Sequence, residues 1–157
     1  MNEQDRRFLT QAVDLAEEAV DAGDEPFGSV LVDGAGEVLQ VARNEAVHRN
    51  ATLHPELTLA QWAGDHLDAS ARAAATVYTS GEHCPMCAAA HAWVGLGRIV
   101  YASSGEQTVR WAAELGAPAS PVTALRIPDV APGIPVDGPD DELAERVHAL
   151  HRRFRER

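Results

Sequence analysis

The sequence reads HPE at residues 54–56 and CPMC at residues 84–87. Together these segments hold the side chains that a catalytic zinc ion requires, because such a site takes three protein ligands and keeps a fourth position for water. His54, Cys84 and Cys87 offer one nitrogen and two thiolates for this purpose. The two segments therefore predict one zinc centre, around which the rest of the chain is arranged.

A carboxylate and two prolines strengthen this prediction. Glu56 follows the histidine by two residues, so it can shuttle protons beside the metal without binding it. Pro55 and Pro85 favour the first position of a helix, so each segment is predicted to begin one. The positive ends of two helix dipoles would then converge on the metal and favour thiolate over thiol.

Hydrophobic periodicity divides the remaining chain into alternating helices and strands. Helices are predicted over residues 3–22, 55–67, 85–94 and 106–115 and from residue 140 onward, and strands over residues 30–32, 38–41, 75–79, 98–102 and 122–127. Asp33-Gly34-Ala35-Gly36 is a turn signal that joins the first two strands as a hairpin. Strands that alternate with helices predict a mostly parallel sheet with helices on both faces.

The chain is predicted to be one domain over residues 1–157, with residues 128–157 forming a proline-rich connector and a C-terminal helix. Four prolines between Pro128 and Pro139 make that connector extended and rigid. No apolar run approaches the ~18 residues that span a bilayer, and the first residues lack a signal peptide. We therefore expect a cytoplasmic protein with no membrane partner. Because both cysteines are predicted to bind the metal, no cysteine remains to form a disulfide.

The charge distribution disfavours nucleic acid as a partner. The net charge is −11, and long-range repulsion from phosphates opposes nonspecific binding. All 13 basic residues are arginine, and five of them lie within the last 12 residues. Such a run is typical of a solvated helix face.

Further segments extend the match to a known family. They are Pro26–Val32, Arg43-Asn44, Thr79–Cys84 and Ile99–Ala102. With the H-x-E and C-x-x-C motifs, they resemble the zinc-dependent cytidine deaminase superfamily, in the branch of guanine deaminase, cytosine deaminase and tRNA adenosine deaminase. The resemblance covers residues 3 to 115 and implies a three-layer α/β/α fold with a mixed five-stranded sheet and a homodimer.

This resemblance implies hydrolysis of an amine to a carbonyl. Zinc would supply hydroxide at neutral pH, and Glu56 would move a proton from that water to the ring nitrogen and then to the departing ammonia. The substrate would be a free heterocyclic base: guanine, cytosine or a related aminated purine, pyrimidine or triazine. By the same resemblance Asn44 hydrogen-bonds the base, and Phe27 and Trp93 form aromatic pocket walls, although core packing also explains both aromatic residues.

Two positions depart from the family pattern and bear on substrate choice. Pro55 replaces a residue whose backbone N–H can donate to the ring, so one substrate contact is missing. His83 replaces the usual proline before Cys84, and it either faces solvent or adds a polar group to the pocket rim. Both departures leave the identity of the base open.

Three alternatives compete with this prediction. A tRNA adenosine deaminase belongs to the same branch but conflicts with the acidic composition. A noncatalytic, zinc-stabilised binding module would use His91 to close a Cys₂His₂ set, which leaves Glu56 without a role. A C-x-x-C redox module needs neither His54 nor Glu56.

Overall fold

The structure is a computed structural model that describes residues 1–157. It contains seven helices and five strands, which we number along the chain. They are α1 (Glu3–Ala22), β1 (Gly28–Val32), β2 (Val38–Arg43), α2 (Pro55–His66), α3 (Ala69–Ala74), β3 (Thr76–Gly81), α4 (Pro85–Val94), β4 (Arg98–Ser103), α5 (Gly105–Glu114), α6 (Ile127–Val130), β5 (Val136–Asp137) and α7 (Asp141–Arg155). No helix combines the length and the apolar character needed to cross a bilayer.

The five strands form one mixed sheet in the order β2-β1-β3-β4-β5. Strand β1 is antiparallel to both of its neighbours, whereas β3, β4 and β5 run parallel. Only half of the pairings are therefore parallel, fewer than the alternation of helices and strands predicted. Helix α1 packs so closely on β1 that a Cβ at Gly28 would lie 2.4 Å from the carbonyl oxygen of Ala12, which requires glycine there.

Helices cover both faces of this sheet and confirm the predicted three-layer α/β/α fold. One face packs against α1, α5 and α7 through a core that includes Leu9, Val13, Trp111 and Val147. The other face packs against α2, with α4 and α6 alongside. Both helices that start at the predicted zinc motifs, α2 and α4, lie on this second face.

The last strand lies further along the chain than predicted. Residues 122–127 do not form a strand, because Val122 and Leu125 are exposed and only Ile127 is buried. The strand is instead β5, a pairing of two residues with β4 inside the connector that was predicted to contain no element. A strand of two residues is too short to show hydrophobic periodicity in the sequence. Prolines can flank β5 because it lies at the edge of the sheet. Helix α3, which is capped by Asp68, was also not predicted.

The arginines of the C-terminal helix pair with acids of α1. Arg146 lies 3.0 Å from Asp14, and Arg153 lies 2.9 Å from Glu17. Arg153 also contacts Asp21, at 2.5 Å. These pairs fix α7 along α1 of the same chain and neutralise part of the basic cluster.

Acid should weaken the junction between α1 and the sheet. The Asp5 carboxylate accepts hydrogen bonds from Arg98 and Tyr78, at 2.8 and 2.9 Å, and the Arg98 bond lowers the pKa of Asp5 to about 2. A carboxyl group with a lowered pKa stabilises the fold above its unfolded-state pKa, and this contribution is lost as pH falls. Between about pH 4 and pH 2, the free energy of unfolding should therefore fall more steeply for wild type than for Asp5→Asn.

Denaturant titrations of both proteins across this pH range provide the measurement. Equal slopes would show that the Asp5–Arg98 pair does not contribute to stability, since the other carboxylates are common to both proteins.

Candidate active site

Two helix starts bring the three candidate ligands together. His54 is the N-cap of α2, Cys84 is the N-cap of α4, and Cys87 lies in the first turn of α4. The Cys84 Sγ lies 3.5 Å from both the His54 Nδ1 and the Cys87 Sγ, and the Cys87 Sγ lies 3.7 Å from the His54 Nδ1. Neither N-cap side chain bonds its own helix, which leaves both available to a metal.

These separations fit a tetrahedral zinc site. At ordinary zinc–sulfur and zinc–nitrogen bond lengths, neighbouring ligand atoms lie about 3.5 to 3.8 Å apart. The hydrogen bond from Cys87, with that from His54, lowers the pKa of Cys84 to about 4, so Cys84 is readily a thiolate. The three residues form the only cluster of metal-ligating side chains of this kind in the chain.

His91 does not complete a closed set of four ligands. Its Nε2 donates to the carbonyl oxygen of Gly97 at 2.8 Å, and its ring packs against His83. The geometry therefore disfavours the Cys₂His₂ alternative, because the chain brings no fourth His, Cys or carboxylate ligand to the cluster.

Glu56 is buried beside the three ligands and is held by hydroxyl groups. The Thr79 Oγ1 donates to its Oε1 at 2.8 Å, and the Ser29 Oγ lies 2.9 Å from Thr79 and 3.4 Å from the same oxygen. Both hydroxyls contact Oε1, and neither contacts Oε2. Burial raises the pKa of Glu56, although the Thr79 bond opposes this, so the carboxyl group can carry a proton nearer neutral pH.

Ser29 and Thr79 were not identified from the sequence. Each lies in a strand in which nearly every residue is buried, so a polar side chain there required a partner. A hydroxyl side chain within a buried strand was therefore the signal in the sequence that could have indicated these two residues. The partner is Glu56, which is distant in sequence from both.

The side-chain amide nitrogen of Asn44 has no hydrogen-bond partner in the chain. The side chain has no solvent exposure, its Oδ1 accepts from the Ala46 backbone N–H at 2.9 Å, and its Nδ2 has no partner in the chain. Asp24 holds this loop by accepting from the backbone N–H groups of Val47 and His48. A buried donor without a partner is costly, which is consistent with an amide kept free for a ligand.

Phe27 is joined to Asn44 through the backbone. Its carbonyl oxygen accepts from the Asn44 backbone N–H at 2.9 Å, and its ring lies against Gly81, where an added Cβ would be 2.9 Å away. Pro55 is buried as the first residue of α2. Both positions are compatible with the base pocket that the resemblance implies.

Trp93 lies on the surface of its chain, so its predicted role as an aromatic wall of the base pocket stays a prediction. Its side chain is 88% exposed, beside Ala89, Ala92 and Val130. Trp93 follows the buried His91 by two residues, and two residues rotate the side chain by about 200° around a helix. The ring therefore lies on the outward face of α4, where it forms an exposed apolar surface.

His83 does not face solvent, which was one of its two predicted locations. It is buried, its ring lies edge-on to His91 at a centroid distance of 5.3 Å, and neither ring nitrogen has a partner in the chain. Burial lowers the pKa of His83, so the ring is neutral. A polar role for His83 at the pocket rim stays a prediction.

Known sequences place these motifs in one family. The profile of the cytidine and deoxycytidylate deaminase zinc-binding region matches residues 2–103. A probable cytosine deaminase of Schizosaccharomyces pombe is 30% identical over 113 residues, which are 70% of this chain and 67% of that protein. Guanine deaminase of Bacillus subtilis is 36% identical over 97 residues, or 61% of this chain. A tRNA-specific adenosine deaminase of Haemophilus influenzae is 29% identical over 108 residues, or 68% of this chain. The match covers 62% of the length of each of these last two relatives, slightly under two thirds.

Solved structures agree with this assignment. The protein NE0047, solved in complex with 2,6-diaminopurine, superposes with a TM-score of 0.73 at 25% identity, covering 95% of this chain and 80% of NE0047. Guanine deaminase of Bacillus subtilis gives a TM-score of 0.59 at 30% identity, covering 78% of this chain and 82% of the other. The matched region includes Glu56 and all three candidate ligands, and its profile is that of a zinc-binding region, so the prediction of zinc as the cofactor is confirmed. This chain belongs to the zinc-dependent cytidine and deoxycytidylate deaminase family.

Proposed function

We propose that this chain is a hydrolytic deaminase of a free heterocyclic base and that it releases ammonia. The substrate class is guanine, cytosine or a related aminated purine, pyrimidine or triazine. One observation carries the proposal: a buried carboxylate, Glu56, lies close enough to interact electrostatically with His54, Cys84 and Cys87, and no fourth protein ligand completes their cluster. A purely structural zinc site has no need of such a group.

His54, Cys84 and Cys87 would hold the ion in this proposal. When bound, zinc lowers the pKa of a water in its open position to about 7 and so supplies a nucleophile at neutral pH. Glu56 accepts the proton of the attacking water at Oε2, while Thr79 keeps Oε1 in place. Glu56 then delivers a proton to the ring nitrogen beside the amino-bearing carbon and assists the departure of ammonia.

Asn44 and Phe27 would hold the base during this exchange. The free Nδ2 of Asn44 donates to an acceptor on the ring, and Phe27 supplies an aromatic surface against it. Relatives that are named as guanine and cytosine deaminases, together with the diaminopurine complex of NE0047, support a base of this size.

Free bases are favoured over tRNA because of the charge distribution. The net charge of −11 opposes phosphate binding, and Arg146 and Arg153 of the C-terminal cluster pair with acids of α1.

The experiment is a measurement of ammonia release across guanine, 2,6-diaminopurine, cytosine, adenine and an aminotriazine, beside inosine formation in a tRNA anticodon hairpin. Turnover of at least one free base supports the proposal, and inosine formation at a comparable or higher rate would contradict it.

The homodimer and the cytoplasmic location remain proposals that rest on the resemblance and on the composition. The exposed apolar surface around Trp93 is consistent with a second copy of the chain.

Asn44→Asp should impair substrate binding. An aspartate keeps the acceptor for the Ala46 N–H but replaces the free Nδ2 donor with a second acceptor. A lost donor opposite a buried acceptor costs about 1–3 kcal/mol, so kcat/KM should fall by about 10-fold or more. Steady-state ammonia release with the best base provides the measurement, and an unchanged kcat/KM would remove Asn44 from the substrate site.

Pro55→Ala should change the order of preferred bases. Alanine restores a backbone N–H at the start of α2, where proline has none. A restored donor is worth about 1–3 kcal/mol to a base that presents an acceptor there, which is enough to reorder substrates. We expect activity on guanine or cytosine to rise relative to the best wild-type base. If the order across the panel does not change, the missing N–H is irrelevant to specificity.

A further inference from the structure

One buried carboxylate joins the end of α1 to the loop between β2 and α2. Asp24 is 2% exposed, and its Oδ1 accepts from the backbone N–H groups of Val47 and His48, at 3.0 and 3.1 Å. Its Oδ2 lies 3.1 Å from the His48 Nδ1. The backbone N–H of Asp24 donates to the carbonyl oxygen of Ala19, in the last turn of α1. Asp24 therefore fixes the position of this loop relative to α1.

The contacts of Asp24 lie on both sides of Asn44 in sequence. The preceding residue, Arg43, has its Nη1 3.6 Å from the Asp24 Oδ2, and this nitrogen donates to the Asn44 carbonyl oxygen at 3.4 Å. The two backbone N–H groups that Asp24 holds belong to the third and fourth residues after Asn44. Between these contacts, the Ala46 N–H donates to the Asn44 Oδ1 at 2.9 Å. The backbone that carries Asn44 is thus held on either side of it.

These contacts decide which end of the Asn44 amide is free. The terminal torsion of asparagine is broad, so an unrestrained amide can present either its oxygen or its nitrogen. The Ala46 N–H occupies Oδ1, and Nδ2 remains as a buried donor without a partner in the chain. The Ala46 N–H points at Oδ1 only while the backbone around it is fixed, and Asp24 holds the next two N–H groups. Asp24 thereby favours the orientation in which Asn44 offers a donor.

Stability of the loop alone does not account for a buried acid at this position. A carboxylate loses its hydration when it is buried, and its hydrogen bonds must offset that cost. The loop lies at the surface, where Val47 is 59% exposed, so water is an available partner for backbone N–H groups there. A single buried side chain differs from water because it fixes the direction of both N–H groups at once.

We propose that Asp24 is a positioning residue that sets the orientation of the Asn44 amide and so makes the site select bases with a hydrogen-bond acceptor opposite Asn44. Asp24 does not touch the base and acts only through the loop. This inference rests on the proposed function, because it assumes that Asn44 binds the base.

The test is a double-mutant cycle of Asp24→Ala and Asn44→Ala in the zinc-loaded chain, measured as ammonia release from the best base. If the donor orientation of Asn44 falls to about a tenth of the population in Asp24→Ala, KM should rise by about 10-fold, with a smaller change in kcat. Asp24→Ala should cause no further loss in the Asn44→Ala background, because no amide remains to be oriented. A residue that serves stability alone would lower kcat/KM by the same factor in both backgrounds.

Two further variants separate the contacts of Asp24. Asp24→Asn keeps an oxygen for the Val47 and His48 backbone N–H groups, so it should recover part of the lost kcat/KM. His48→Ala removes only the side-chain contact at Oδ2 and keeps both backbone contacts, so it should resemble wild type. Zinc content and circular dichroism should match across all the proteins.

Hydrogen exchange of the loop gives a measurement that does not depend on activity. The backbone amides of Val47 and His48 should exchange at least about 10-fold faster in Asp24→Ala than in wild type, because each loses its buried acceptor. The same amides should keep wild-type exchange rates in Asn44→Ala.

Two results would overturn the inference. Equal losses of kcat/KM from Asp24→Ala in both backgrounds would show that Asp24 does not act through Asn44, and unchanged exchange of Val47 and His48 would show that it does not hold the loop. If Asp24→Ala does not fold, Asp24→Ser, which has one acceptor atom on a shorter side chain, is judged by the same criteria. Failure of the proposed function is distinguishable, because wild type itself would then release no ammonia from any base.

Discussion

Glu56→Gln should lower kcat by at least about 100-fold while zinc content and fold remain those of wild type. Glutamine keeps the shape of the side chain and can still accept the hydrogen bond from Thr79, but it cannot take up and return a proton. Glu56 is only 5% exposed, so no bulk buffer component replaces it easily. Ammonia release under saturating base, together with metal analysis, gives the measurement.

Near-normal turnover in Glu56→Gln would favour a different proton carrier. Thr79→Val is the matched control, since it removes the hydroxyl that holds Oε1 and leaves the carboxylate in place. Its kcat should fall by less than that of Glu56→Gln, because positioning is lost but the proton carrier is not.

Cys87→Ala should lose most of its zinc and, with it, nearly all activity. The Cys87 Sγ is one of three ligand atoms, and it is buried between His54 and Cys84 at 3.5–3.7 Å from each. Two remaining ligands do not make a stable zinc site of this type. Metal content after dialysis against a weak chelator measures the loss.

His91→Ala is the control for metal binding. Its side chain bonds Gly97 and lies outside the ligand cluster, so this variant should keep its zinc even if it is less stable. Full zinc occupancy in Cys87→Ala, or zinc loss in His91→Ala, would contradict the ligand assignment.

The sequence predicted the centre of the fold well because several local signals coincided there. The prolines that mark the starts of α2 and α4 lie directly beside the ligand residues, so secondary structure and chemistry gave the same boundaries. Helix α1 was equally clear, because a long apolar periodicity ends at Gly23, which adopts a left-handed conformation.

Features that depend on tertiary packing could not be predicted in this way. The two-residue strand β5 is defined only by its pairing with β4. The family resemblance implied that Trp93 is a pocket wall, but the direction of its side chain depends on which face of α4 packs against the sheet. The hydroxyls of Ser29 and Thr79 acquire a role only when β1 and β3 pair and α2 places Glu56 above them.

The most direct test of the account is a zinc titration of the metal-depleted chain, with ammonia release from its best base recorded at each step. We predict that activity rises in proportion to added zinc and reaches its plateau at one zinc per chain, while Glu56→Gln binds the same amount and stays inactive. Full activity without zinc would contradict the assignment of a zinc-dependent deaminase. Wild-type activity of Glu56→Gln at one zinc per chain would contradict the assignment of Glu56 as its proton carrier.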